Sequence, residues 1–138
     1  MTSRSESGQA TIFVIGISLV VFAIAGIAVD GTQAWLYRRT LQNTADSSAL
    51  AGAGELSRSI YYRSGGKVTD LDVRAAREVA SQWVGASGLD VRSDLSVDEA
   101  GVEVALRGTT ATIFLGLIGI DRLPVAAEAR AEPQRGPP

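Results

Sequence analysis

The amino-acid sequence predicts an α+β protein: a long amino-terminal helix whose first part crosses a membrane, then a small domain of helices and antiparallel strands. Three observations carry this. Residues 10–29, ATIFVIGISLVVFAIAGIAV, form an unbroken run without a charge that ends at Asp30. The helical pattern continues past Asp30, without a proline, to about residue 56. Beyond Gly88 the apolar residues alternate with polar ones at a period of two, the signature of half-buried strands.

The apolar run comes first. Twenty helical residues extend about 30 Å, which matches the hydrocarbon core of a bilayer. A cleaved signal peptide is the rival reading. Its apolar core spans roughly 7–15 residues, behind a basic start and before an A-x-A-like exit. Here the core is longer, Arg4 alone is basic before it, and Ala28-Val29-Asp30-Gly31 is a weak exit. A retained, single-pass segment is therefore expected. Residues 1–9 form a polar leader, 10–29 the transmembrane helix, 30–56 a helical extension, 57–132 a small α+β domain and 133–138 a disordered tail. Charge leaves the orientation open. Arg4 is offset by Glu6 on one side, and Arg38 and Arg39 follow on the other.

Composition narrows the function classes. The chain of 138 residues has room for one small domain beside the membrane segment, with a thin core. It has no cysteine and no histidine. A disulfide scaffold, a thiolate metal site and a Cys–His or Ser–His nucleophile pair are thereby excluded. The net charge of −2 comes from interspersed signs, so no nucleic acid partner is expected. Among the basic residues Lys67 is the only lysine, and with many Ala and Gly this bias points to a GC-rich bacterial genome.

In the helical extension, Ala34, Leu41, Ala45, Ala49 and Ala53 recur at steps of four and seven and define one stripe of mostly small residues. Small residues let helices approach closely. The stripe either docks the following domain or mediates self-association, and the sequence leaves both open. Gly16, Ala23 and Gly26 have the same character within the apolar run. Asp30 reads as a membrane-boundary residue, since a charge is cheap at the interface and costly at the bilayer centre. Trp35 and Tyr37 lie just beyond it, either as an aromatic belt at the headgroups or packed on the domain.

Residues 57–70 read as an exposed loop. A second helix is expected over about 71–84, capped by Asp70 or Thr69 and ended by Gly85 and Gly88, with Val73, Ala76, Val79, Ala80 and Trp83 as its apolar face. Leu89, Val91, Leu95 and Val97 suggest a strand, and 98–101 a turn. Val102, Val104 and Leu106 alternate with Glu103, Ala105 and Arg107 in a second strand. The twelve-residue run 109–120, TTATIFLGLIGI, is too short to span a bilayer and reads as a buried or interfacial helix. A last strand over 123–132 places Val125, Ala127, Ala129 and Ala131 on one side.

No catalytic, cofactor-binding or metal-ligating constellation emerges, and no cofactor is expected. Asp90, Asp94, Asp98 and Glu99 lack the spacing of a calcium loop and read as a solvated turn. Ser47 and Ser48 have no base partner. The chain is expected to be no enzyme.

Gly8-Gln9-Ala10 through Leu56 resembles the amino-terminal region of the Tad/Flp pilus-assembly proteins, the TadE/TadG-like family. The resemblance rests on the apolar helix ending in Ala28-Val29-Asp30, on Tyr37-Arg38-Arg39, and above all on 41–53, LQNTADSSALAGA. It implies a pilin-like fold and a minor-pilin-like or pseudopilin-like structural role in a bacterial cytoplasmic membrane, with the carboxy-terminal domain extracytoplasmic. It implies membrane lipid, other pilus or pseudopilin subunits and Tad-type assembly proteins as partners, in a homo- or hetero-oligomer. It also implies prepilin-type cleavage between Gly8 and Gln9. One departure stands out. Pilins carry Glu at the fifth mature position, and here that position is Phe13. The alternative is a membrane-anchored binding module with an unrelated envelope partner.

Overall fold

The computed structural model describes residues 5–56, 58–65 and 70–133. Residues 1–4 of the leader, 134–138 of the tail and Thr69, one of the two expected caps, lie outside them. In chain order the elements are α1 (Ser5–Ala53), α2 (Arg58–Arg63), α3 (Val73–Ala86), β1 (Arg92–Val97), β2 (Val102–Ala111), a 3-10 turn (Leu115–Ile118) and β3 (Arg122–Ala131). The strands form one antiparallel sheet in the order β1-β2-β3. The predicted α+β class is borne out. The described residues fall into two compact units. One is drawn from Met1–Trp35 and Thr110–Leu123, the other from Leu36–Thr109 and Pro124–Pro138.

The second unit holds the core. Its helical wall is the carboxy-terminal part of α1, where Leu41, Ala45, Ala49 and Ala53 are buried. Against them lie Ala76, Ala80 and Val84 of α3, together with Val102, Val104 and Leu106 of β2 and Val125, Ala127 and Ala129 of β3. A core built so largely of Ala and Val requires close approach of backbones. Gly52 meets this need: a Cβ there would lie 2.9 Å from the Ala76 carbonyl oxygen and 3.2 Å from Ala80 Cβ and Val102 Cγ2. The register Leu95↔Val104 and Val97↔Val102 aligns the apolar positions of β1 and β2. The expected turn at 98–101 is an Asx turn, in which Asp98 Oδ1 accepts from the N–H groups of Ala100 and Gly101, both at 2.8 Å. Pro124 is tolerated because β3 is an edge strand.

Several expectations are corrected. Residues 57–70 contain a helix, α2, whose six residues are too few to show a helical period. It ends before Gly65, which takes φ +64°. The cap of α3 is Asp72, whose side chain accepts from Ala75 N–H at 3.1 Å, and the helix runs through Gly85 to Ala86. On its buried face Val84 takes the place expected for Trp83, which is 53% exposed. The first strand begins at Arg92, so Leu89 and Val91 precede it.

Residues 109–120 do not form a helix. β2 extends to Ala111, and only Leu115–Ile118 make a single 3-10 turn in which no residue is buried. β-Branched Thr109 and Thr110 favour the strand, and Gly119 at φ +89° closes the turn. Ala131, expected on the inner side of β3, is half-buried at the strand's end.

Candidate functional site: the apolar helix and its clamped loop

Within the first unit, α1 presents a continuous apolar surface. Ile12, Phe13, Leu19, Phe22 and Ile24 are each more than 60% exposed. A water-facing protein rarely carries a patch of this extent. Within the run, the Ser18 hydroxyl donates to the Val14 carbonyl at 2.8 Å. This back-bonding is how a hydroxyl is accommodated in a membrane helix. The helix is long and apolar enough to cross a membrane.

Asp30 ends this surface and is 1% exposed. Its carboxylate accepts three consecutive backbone N–H groups, from Ile113 to Oδ1 at 2.8 Å, and from Phe114 and Leu115 to Oδ2 at 3.0 and 2.7 Å. These are the free donors at the start of the 3-10 turn, and three N–H groups in succession form a natural cradle for an anion. Burial acts to raise the Asp30 carboxyl, but the bonds from Leu115, Ile113 and Phe114 outweigh it and hold the group below its ordinary value of 3.8. One helical turn earlier, Gly26 lets the loop touch the helix. A Cβ at Gly26 would lie 2.6 Å from Phe114 Cβ and 2.7 Å from its Cγ. The neck of the loop is closed by Thr112, whose N–H donates to the Asp121 carbonyl at 3.0 Å and whose hydroxyl donates to the Ile120 carbonyl.

This geometry gives a direct prediction. Gly26→Ile displaces Phe114 and strains the loop by about 1–3 kcal/mol, the usual range for overpacking. Gly16→Ile has open space around it and leaves the loop unchanged. Hydrogen exchange at the amides of 113–115 checks this, and equal protection in both variants contradicts the contact.

The other residues singled out in the sequence are placed as follows. Gly8 and Gln9 lie in α1 and are exposed. Leu41, Ala45, Ala49 and Ala53 are buried inside the second unit, and Ala34 is half-buried. Tyr37 lies over β2, where a Cβ at Gly108 would meet its hydroxyl oxygen at 2.5 Å. Trp35 is 58% exposed. In the 41–53 phrase, Gln42 Nε2 donates to the Glu128 carbonyl of edge strand β3 at 2.9 Å and to Asp46 Oδ1 at 3.0 Å. Ser48 Oγ is buried without a hydrogen-bond partner among the described residues. Thr40, Asn43, Thr44 and Ser47 line an open groove between α1 and α3 with Trp83. Among the described residues no three His, Cys, Asp or Glu side chains gather as a metal site.

The Asp30 clamp is the functional feature that sequence reasoning missed. Gly26, Asp30 and Ala34 follow the same four-residue step as Leu41, Ala45 and Ala49, so the stripe extends back into the apolar run. That periodicity is the signal from which Asp30 could have been read as a covered residue.

No curated protein and no solved structure matches the chain. Residues 8–55 match the Tad family, described as "Putative Flp pilus-assembly TadE/G-like". The match begins at the expected cleavage position and ends where α1 gives way to the domain. It contains both the apolar run and the 41–53 phrase that carry the resemblance. Over that segment, about a third of its length, the chain is similar to the Tad family of TadE/G-like pilus-assembly proteins.

Proposed function

We propose that this protein is a pilin-like structural subunit or assembly factor of a Flp-type pilus, anchored in a bacterial cytoplasmic membrane by residues 10–29, with its carboxy-terminal domain extracytoplasmic. One observation carries the reading: the segment that matches the Tad family coincides with a helix whose first part is apolar and exposed, while one face of its second part, Leu41, Ala45, Ala49 and Ala53, is buried in the chain's own domain. The family supports the pilus context, and the exposed apolar face supports association within the membrane.

The burial of Ala45 and Ala49 bears on mechanism. A bulky residue at either position tests folding rather than association, because the chain's own domain covers it. Lateral contact with other subunits therefore falls to the exposed part of α1, where Gly16 has open space and permits close helix approach. In the domain, the groove between α1 and α3 beside Trp83 is the surface offered to other pilus proteins.

The test is photo-crosslinking from Phe22 in the native membrane, with mass spectrometry of the products and of the intact protein. Crosslinks to copies of this chain or to other pilus components are expected. Crosslinks confined to unrelated envelope proteins overturn the reading in favour of an anchored binding module. The intact mass separates the two forms of the proposal. A start at Gln9 marks a processed, filament-type subunit despite Phe13, and a start at Met1 or Thr2 marks an uncleaved assembly component.

A further inference from the structure

The loop clamped by Asp30 is unusual in what it exposes. Ile113, Leu117, Ile118 and Ile120 are 58, 83, 73 and 43% exposed. Four large aliphatic side chains therefore point outward from a segment of eight residues. A loop of this kind on a water-facing surface is normally polar. Its polar groups are turned inward instead, with Thr112 closing the neck and the N–H groups of 113–115 spent on Asp30. The apolar turn is thus held out by a satisfied backbone, which is what contact with hydrocarbon demands.

Its position along the helix identifies the occupant. Phe114 is seated on Gly26, inside the last turn of the apolar run, and the clamp is at Asp30, the first charge after it. Ile24, Ile27 and Val29 of the same stretch of helix are exposed at 63, 59 and 41%. The loop thus adjoins the end of the transmembrane run, where Ile27 and Val29 are exposed as Leu117 and Ile118 are. Just after the loop come Asp121 and Arg122, charges suited to the headgroup zone. We infer that residues 113–120 form a second membrane contact, an apolar turn inserted into the outer edge of the bilayer beside the end of the transmembrane helix. A turn locked to the helix fixes its rotation about its own axis relative to the membrane surface, and so fixes which helix face is offered to neighbours. This inference rests on the reading of residues 10–29 as a membrane span.

The absence of cysteine makes the test clean, since one introduced thiol is unique. The full chain, as Leu117→Cys or separately as Ile118→Cys, is labelled with an environment-sensitive fluorophore and placed in phosphatidylcholine–phosphatidylglycerol nanodiscs. Leu19→Cys reports the span itself. The expected result is a blue shift at 117 and 118, loss of most intensity with acyl-chain-brominated lipid, and protection from iodide. Water-like emission and iodide quenching at 117 and 118, with Leu19 still quenched by brominated lipid, overturn the inference and leave the span intact. Loss of lipid quenching at Leu19 as well removes the span and the inference with it. Protection from both iodide and brominated lipid shows that protein, such as a second copy, covers the turn, and this also overturns it.

Discussion

Replacing Gly52 by valine is expected to unfold the small domain at temperatures the parent tolerates. The Cβ would be 2.9 Å from a backbone carbonyl of α3 and 3.2 Å from side chains of both α3 and β2. None of these is the movable end of a long side chain, so α1 has to back away from two elements at once. Overpacking of this kind costs about 1–3 kcal/mol for small insertions and more where backbone must shift. We expect a loss of about 3 kcal/mol or more for Val. Alanine is milder, because its gain in helix propensity, about 1 kcal/mol, offsets part of the strain. A domain this small has little to spare, since stabilities of ~5 kcal/mol are typical at the low end. Gly85→Ala in α3 is the control. It has open space and should be neutral or stabilising by up to about 1 kcal/mol. Urea unfolding of the full chain in detergent, followed by tryptophan fluorescence, measures both. Equal midpoints for Gly52→Val and the parent contradict the packing of α1 on α3.

Removing the Asp30 carboxylate is the second large effect, and it is local. In Asp30→Ala three N–H groups lose their acceptor together. Bonds to an ionised group are stronger than neutral ones, so exchange of the 113–115 amides should quicken by at least about tenfold. Asp30→Asn keeps the shape and loses the charge, so it should fall between parent and Ala. The same bonds set a pH dependence. The group is held below its ordinary value of 3.8 in the folded chain, burial being outweighed by the bonds from Leu115, Ile113 and Phe114. Its stabilisation of the loop is therefore complete above that ordinary value and is lost as pH falls through the lower, folded one. Protection at 113–115, corrected for intrinsic exchange, should fall in acid in the parent and stay flat with pH in Asp30→Asn. Undiminished protection in Asp30→Ala would show that something other than the carboxylate holds the loop.

These two positions also mark how far the sequence is legible. Gly52 adjoins a stripe visible as a four-residue rhythm of small residues, ending at Ala53, and Asp30 belongs to its extension. A stripe reveals that a helix face needs cover. It does not say what covers it, which is why docking and self-association stayed open for Leu41, Ala45, Ala49 and Ala53. Tertiary packing assigns those four to the chain's own core. Similarly, Gln42 in the 41–53 phrase reads as an exposed helical polar residue until the Glu128 carbonyl, 86 residues away, accepts its proton.

The sequence by itself determined what depends on neighbours along the chain. A charge-free run as long as a bilayer is thick, the period-two alternation of β2 and β3, the turn at 98–101 and the family phrase are all local patterns, and each is found where expected. The tertiary structure alone decided what depends on partners far apart in sequence. The run at 109–120 looked like a helix because its apolar residues are contiguous. Its backbone instead pairs in β2 and then turns onto a carboxylate more than 80 residues earlier. A boundary aspartate thereby became a clamp. Periodicity records which side of an element avoids water, whereas hydrogen-bond acceptors for stray N–H groups are supplied only once the chain has folded back on itself.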